Sequence, residues 1–322
     1  MSFISQFYMI NKIIHKLTFP RLKRLGEKEK KKAVREFGNR ELLFPPIFII
    51  GAPRCGSTVF YQAMTNAMDV VYFTNYAIKR YPSIVHGMKK SFAKYQGSQH
   101  PYQSRFGDTA KPHEPSEGSY FWYQWFPYNK HYLTRSDIDE SSKKEIYSLI
   151  NAIMHQHQKV MVFKNLNCGQ RIDVLQDIFK NPLYIHIERS PAEVIRSMHR
   201  AKKSRNLSDA DWFSVKSKNY ETLKTKTGLD QLCAQYQDLH QQIKHDLGNI
   251  AKKNVLSVSY ASFCKDPQNT LNEVYAFIKN HIPGLVWNEK FSCEEITKNK
   301  YLLDNQQEKE LQNYLQKYGL NE

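Results

Sequence analysis

The chain has 322 residues, a formal net charge of +16 and an isoelectric point near 9.4, with 41% hydrophobic and 13% aromatic residues. That length and apolar content suit one large α/β domain or two small ones, and the basic surplus calls for an anionic partner: a nucleotide, a nucleic acid, an acidic glycan or a membrane surface. Five scattered cysteines, odd in number and without C-x-x-C spacing, argue against a disulfide framework or a structural zinc site. No apolar run is long enough to span a bilayer, and the N-terminal segment lacks a secretory pattern, so we expect the whole chain to work in the cytoplasm.

Phe3, Phe7, Ile10, Ile14 and Leu17 recur at helical spacing, with Ile4 and Ile13 widening the stripe. Pro20 is expected to end this helix. A basic run follows, with Arg21, Lys23, Arg24, Lys28, Lys30, Lys31, Lys32 and Arg35. Residues 3–35 thus have two readings. They form a peripheral contact with an anionic inner membrane surface, or the helix packs on the domain or a partner subunit and the charges are solvated. The second weighs slightly more. Residues 1–40 are read as this extension and 41–322 as the main domain.

Ile47 to Phe60 reads IFIIGAPRCGSTVF. Ile47–Ile50 is a buried strand, Gly51, Pro53 and Gly56 make a tight turn, and Ser57 and Thr58 open a helix over Val59–Met68. A strand, a glycine turn and a helix N-terminus aim backbone N–H groups and the helix dipole at one spot, an anion site. Gly51 and Gly56 have the G-x-x-x-x-G spacing of a nucleotide phosphate loop, but the lysine that should follow is absent and Arg54 sits inside the turn. ATP or GTP hydrolysis is therefore disfavoured. An anion held by Arg54, the amides of Cys55 and Gly56, and the hydroxyls of Ser57 and Thr58 is the better reading.

GAPRCGST resembles the 5′-phosphosulfate loop of the sulfotransferase superfamily, bacterial and Golgi-type carbohydrate branch, whose members use 3′-phosphoadenosine 5′-phosphosulfate (PAPS). The rest of the chain is consistent with it. Val70–Phe73 reads as a strand, Ile84–Tyr95 as a helix and Gln96–Gly107 as loop. In Lys111–Phe126, KPHEPSEGSYFWYQWF, Pro112 and Pro115 keep the start out of a helix. His113, Glu114 and Glu117 are candidate bases for a hydroxyl that attacks sulfur. The resemblance ranks Glu117 first, then Glu114, then His113. The alternative is that Glu117 caps a helix and the aromatics are core, although Tyr120, Trp122 and Trp125 could also line an acceptor pocket.

Asp137–His157 reads as an amphipathic helix, Val160–Phe163 as a strand ending at Lys164, and Ile172–Phe179 as a helix. Ligands of open parallel sheets sit at the carboxyl ends of strands, so Lys164 is placed to meet a sulfonate or phosphate oxygen, or else is a surface charge. Leu183–Ile187 is a strand followed by ERSPAEVIRSMHR. Arg189, Pro191 and Ser197 stand in the register that the resemblance identifies as the 3′-phosphate site, with Arg196 and Arg200 adding charge. The usual acidic or amide residues beside the proline are replaced by Ser190, Ala192 and Glu193. A capping signal at Ser208–Asp211 precedes a short helix, within a segment, Lys202–Lys226, that covers the cofactor in relatives. Gln231–Ile250 is a long polar helix and Asn254–Tyr260 a strand. Asp266–Pro267 starts a helix over Thr270–Ile278, and Asn305–Lys317 is the last helix. An R-K-G loop found in mammalian cytosolic members is absent, with Lys298 and Lys300 the nearest substitutes.

The expected fold is a P-loop-like α/β domain, with a central parallel sheet flanked by helices on both faces and an N-terminal helical extension. The expected reaction is sulfuryl transfer from PAPS to the hydroxyl of a glycan or glycolipid, without a metal and without nucleic acid. The resemblance assigns PAPS to Arg54, Cys55, Gly56, Ser57, Thr58, Arg189 and Ser197, and the chemistry to Glu117, Arg54 and Lys164, with Glu114 and His113 as alternative bases. A P-loop kinase or NTPase is the second reading. A non-catalytic basic module that binds nucleic acid or membrane is the third, and it leaves the paired phosphate motifs unexplained.

Overall fold

The apolar run ahead of the glycine turn, Ile47–Ile50, is β1, with all four residues buried. Successive strand side chains point to opposite faces. Phe48 and Ile50 pack with Trp122, Phe163 and Tyr184 on one face, and Ile47 and Ile49 with Phe60, Val162 and Ile185 on the other. A strand buried on both faces reads as an unbroken apolar run, which is the pattern seen. The computed structural model of the chain describes residues 3–102, 107, 109–297 and 301–321, and for residues 3–18 the helix backbone alone.

In chain order the elements are α1 (Phe3–Phe37), β1, α2 (Ser57–Ala67), β2 (Val71–Tyr72), α3 (Asn75–Ile78), α4 (Ile84–Lys94), α5 (Ser119–Trp122), α6 (Glu140–His157), β3 (Met161–Lys164), α7 (Ile172–Phe179), β4 (Leu183–Glu188), α8 (Pro191–Ser204), α9 (Tyr220–Leu223), α10 (Gly228–Gly248), β5 (Val255–Ser259), α11 (Tyr260–Lys265), α12 (Pro267–Lys279) and α13 (Asn305–Lys317). The strands form one parallel sheet in the order β2-β3-β1-β4-β5. Ile47 lies opposite Val162 of β3 and Leu183 of β4. Parallel neighbours need crossover connections, and the helices supply them on both faces. α2 and α12 cover one face through Phe60, Leu271 and Val274, and α6 and α7 cover the other through Ile150, Ile153 and Leu175. A further core joins α8, α10 and α13 through Ile195, Leu232 and Leu311. This is the expected P-loop-like α/β sheet. Because β1 is flanked by β3 and β4, the carboxyl ends of these three strands open side by side, where such sheets take ligands.

Several boundaries differ from the sequence reading. α1 does not stop at Pro20 but runs on to Phe37. Proline removes one N–H from the ladder. Pro20 is exposed, so water can serve the freed carbonyl, while Phe19 next to it packs on Tyr81. The helix expected from Asp137 starts at Glu140, because Asp139 caps it by accepting from Ser142 N, and Arg135–Asp137 forms a separate short turn. The strand expected over Asn254–Tyr260 ends at Ser259, whose hydroxyl accepts from Ser262 N and starts α11 at Tyr260. Ser208–Asp211 closes a local turn, with Ser208 N and Oγ donating to Asp211, and no helix begins there. α10 is less polar in place than in sequence: Gln231, Gln235 and Gln242 are buried in it.

The part of α1 from residue 19 onward is docked on the domain. Gly26 lies so close to Pro82 that a Cβ would sit 1.6 Å from its carbonyl oxygen. Glu29 caps α4: its carboxylate accepts from Ser83 Oγ (2.7 Å), Val85 N (3.1 Å) and His86 N (3.1 Å). Tyr147 and Asn151 of α6 hold the following segment by donating to Arg40 O at 2.7 and 3.2 Å.

Candidate active site

The turn after β1 folds as it does because two positions cannot carry a side chain. A Cβ on Gly51 would lie 2.8 Å from both Cys55 Sγ and Ile187 O. A Cβ on Gly56, whose φ is 96°, would lie 2.0 Å from the Tyr260 ring. Arg54 adopts φ 68°, a left-handed conformation that costs a non-glycine residue energy and is commonly held where a site needs it. Cys55 N closes the turn on Ala52 O at 3.2 Å. The Cys55 side chain points into the core, and burial pushes its thiol pKa up. No side chain caps α2, which begins at Ser57, so its first N–H groups face the turn.

The second motif meets this turn across 143 positions of sequence. Arg54 Nε donates to Ser197 Oγ at 3.1 Å. Arg189 donates to Arg54 O at 3.1 Å, pairs with Glu193 at 2.9 Å and lies over the Tyr260 ring, 4.7 Å from its centroid. Pro191 opens α8 in its first turn, and that carries Ser197 two turns along to face Arg54. Burial lowers the Arg54 guanidinium pKa, and the charge on Arg189 lowers it further. Two guanidinium groups brought together with little solvent make a strong anion site.

Lys164 ends β3 beside the same turn. Its side chain is only 3% exposed; it donates to Thr58 Oγ1 at 3.0 Å and forms an ion pair with Glu117. Asn165 holds the backbone there, donating to the Glu117 carbonyl oxygen at 3.0 Å. Gly118 packs so tightly on Phe73 that a Cβ would sit 2.4 Å from its ring, which fixes the turn that presents Glu117. These residues line one cleft of about 460 Å³. Among the described residues its charged lining is Arg54, Lys164, Arg189, Arg200 and Arg205 against Glu117 alone. Such a volume and charge suit a polyanionic ligand of nucleotide size.

Of the residues singled out in the sequence, Arg54, Gly56, Ser57, Thr58, Glu117, Lys164, Arg189 and Ser197 share this cleft. Cys55 contributes backbone to the turn rather than a side chain. Glu114 and His113 lie elsewhere. Glu114 is buried and closes its own loop, accepting from Ala110 N and Lys111 N at 2.7 Å each. His113 stacks on His100 and lines a separate cleft at the β2 edge. Trp122 is core and Trp125 bonds Glu145, whereas Tyr120 is exposed. Arg196 is bound in a fork by Glu308 of α13, and Arg200 lies over Tyr301 at 4.3 Å. Arg205, Phe213 and Ser214 bring the segment after α8 to the cleft. Lys298 and Lys300 lie outside the described residues. Tyr260 and Tyr301 escaped the sequence reading. Tyr260 had a usable signal, since it follows the carboxyl end of β5. Among the described residues no group of three or more His, Cys, Asp or Glu is arranged to hold a metal ion, and no helix is long and apolar enough to cross a membrane.

The family model described as the sulfotransferase family matches residues 45–283. Among solved structures, a sulfotransferase from Mycobacterium avium superposes with a TM-score of 0.54 at 12% identity, covering 90% of this chain and 80% of its own. A sulfotransferase from Mycobacterium tuberculosis superposes with a TM-score of 0.51 at 12% identity, covering 81% of this chain and 74% of its own. At that identity the likeness is one of fold. No curated protein matches the chain.

Proposed function

The chain belongs to the sulfotransferase family, and we propose that it transfers a sulfuryl group from PAPS to a hydroxyl of a glycan or glycolipid. The observation that carries this reading is the hydrogen bond from Arg54 to Ser197, which joins the turn after β1 to the motif after β4 in one basic cleft. A donor with phosphate at both ends of its ribose needs two anion sites one sugar apart. Arg54, the turn amides and the hydroxyls of Ser57 and Thr58 serve the 5′-phosphosulfate. Arg189 and Ser197 serve the 3′-phosphate and so position the donor.

Glu117 takes the proton of the acceptor hydroxyl as its oxygen bonds to sulfur, while the bond from sulfur to the 5′-phosphate oxygen breaks. Lys164, already beside Thr58 and Glu117, neutralises charge gathering on the sulfonate and on the departing bisphosphate. Water reaches the Glu117 carboxylate, which is 33% exposed. Five free cysteines fit a reducing compartment, so we place the reaction in the cytoplasm. We further take residues 1–40 as an extension added to the transferase domain of residues 41–322.

Incubation with radiolabelled PAPS and a panel of acceptors, read by mass spectrometry, tests the proposal. Arg54→Ala should abolish sulfation and Arg189→Ala should weaken PAPS binding by tenfold or more, about the loss of one charge-assisted hydrogen bond pair. Full activity in both variants sinks the assignment. So does tight binding of ATP with magnesium but none of 3′,5′-bisphosphoadenosine.

A further inference from the structure

α1 is one continuous helix from Phe3 to Phe37. Along it Phe3, Phe7, Ile10, Ile14 and Leu17 are followed, at the same alternating steps of four and three, by Arg21, Arg24, Lys28, Lys31 and Arg35. At about 100° per residue these ten positions fall within an arc of ~120°. By this spacing a single face is apolar over its first half, with Gln6 its one polar position, and cationic over its second. Lys32 and the exposed Leu25 fall on the same arc.

The opposite face is committed to the domain. Gly26 and Ala33 are buried, and Glu29 caps α4. The cationic half is therefore held rigidly, with Arg21, Arg24, Lys28, Lys31 and Arg35 all exposed. Among the described residues only Arg35 of these five has a carboxylate beside it, Glu36 at 3.0 Å. Lys32 also lies 3.9 Å from Glu36, but Arg21, Arg24, Lys28 and Lys31 stand exposed and apart from the acids of the described residues, as a surface for charge outside the chain does.

We propose that α1 seats the protein on an anionic phospholipid bilayer, with its apolar half in the acyl boundary and its cationic half along the headgroup phosphates. Both halves of the face are used only by a surface that is apolar at one depth and anionic at the next. A nucleic acid or an acidic glycan would engage the cations and leave the apolar half in water. A second copy aligned along the whole face would set cations against cations or against apolar side chains. The helix also contacts, through one intervening ring, the short helix that follows Glu117. Phe19 packs on Tyr81 with ring centroids 5.9 Å apart, and Tyr81 stacks at 5.6 Å on the exposed Tyr120, three positions after Glu117. The loop bearing Glu117 is tied to the docked helix, which suits an acceptor hydroxyl presented in the headgroup layer. This last step rests on the sulfotransferase reading; the docking does not.

The test is co-sedimentation of the full chain with vesicles of phosphatidylcholine alone and of phosphatidylcholine with phosphatidylglycerol. Binding is expected only to the anionic vesicles and should weaken with salt. At about fivefold per cation, Arg24→Gln, Lys28→Gln and Lys31→Gln together should lower partitioning ~100-fold. Ile10→Asp with Ile14→Asp should remove it. Rates on a water-soluble acceptor should stay unchanged in the triple variant. Failure of the wild type to sediment with either vesicle, equal sedimentation of the triple variant, or a solution dimer that the Ile10 and Ile14 changes dissociate would each overturn the docking. Vesicle binding without sulfation of any acceptor would uphold the docking and strike the proposed reaction instead.

Discussion

Lys164 holds its charge in a place where water hardly reaches it, and the Glu117 carboxylate and the Thr58 hydroxyl offset that cost. Replacing it by methionine keeps length and volume and removes the charge. Glu117 is a third exposed and can be hydrated once its partner is gone, so the fold should lose little. We expect Lys164→Met to move Tm by no more than about 4 °C while lowering turnover ~10²- to 10³-fold, the usual weight of one group that stabilises charge in a transition state. Melting curves and single-turnover kinetics check both halves; wild-type turnover would remove Lys164 from the chemistry. Residues of this kind were legible to different degrees. Arg54, Arg189 and Ser197 stand at set offsets from a strand end, and the family resemblance singled them out in that register. Glu114 and Glu117 are three positions apart in one loop, and spacing could not choose between them. Ala110 N and Lys111 N bind the Glu114 carboxylate, whereas Glu117 lines the cleft. Tyr260 belongs to the site because Gly56 has no side chain to exclude it, a contact between distant stretches that no local pattern records.

At the level of elements, local propensity and tertiary fit can be set against each other at Gly26. Alanine is the better helix former there by about 1 kcal/mol. Yet a Cβ would meet the Pro82 carbonyl oxygen at 1.6 Å, and backbone cannot swing aside as a flexible side chain can. Packing should win: Gly26→Ala should destabilise the protein by about 1–3 kcal/mol, the usual cost of forcing extra volume into a filled contact. Urea unfolding reads the sign, and a gain in stability would mean that α1 is not docked at Pro82 in solution. The same contest explains which elements the sequence showed. β1, α7 and α13 were read to the residue because pattern and packing agree there. α1 was cut at Pro20 because proline is a strong local signal, and the heptad-like continuity on either side of it outweighs one missing hydrogen bond. β5 was drawn one residue too long at each end: Asn254 belongs to the turn before it, and Tyr260 reads as a strand residue until the Ser259 hydroxyl is seen to cap α11.

The whole molecule is held in part by histidines that the fold keeps neutral. Burial pushes His100 down to about 3, and His131, His157 and His186 down to about 4. They tie separate regions together. His100 meets Tyr72 Oη at 3.0 Å at the edge of the sheet, and His131 Nδ1 accepts from Lys216 N at 2.8 Å in the segment beside the cleft. His157 packs on Phe92, and His186 lies within β4. An imidazole that accepts a backbone hydrogen bond, as His131 does, cannot do so once protonated at that nitrogen. Unfolded, each histidine takes up its proton near pH 6.5; folded, each resists until the pH is more than two units lower. The unfolded state therefore binds more protons across pH 6.5 to 4, and stability falls as the pH drops through that window. Each proton is worth at most about 1.4 kcal/mol per pH unit, less where solvent reaches the ring as at His131 and His157, so together these groups weigh on a total stability on the order of 10 kcal/mol. The protein should accordingly hold its Tm from pH 8 to 6.5, lose it steeply below, and unfold cooperatively near pH 5. His157→Phe, which keeps a ring against Phe92, should make that fall shallower. A Tm profile that stays flat from pH 6.5 to 4.5, or a variant with the wild-type slope, would show that these imidazoles are solvated and that the acid sensitivity lies elsewhere.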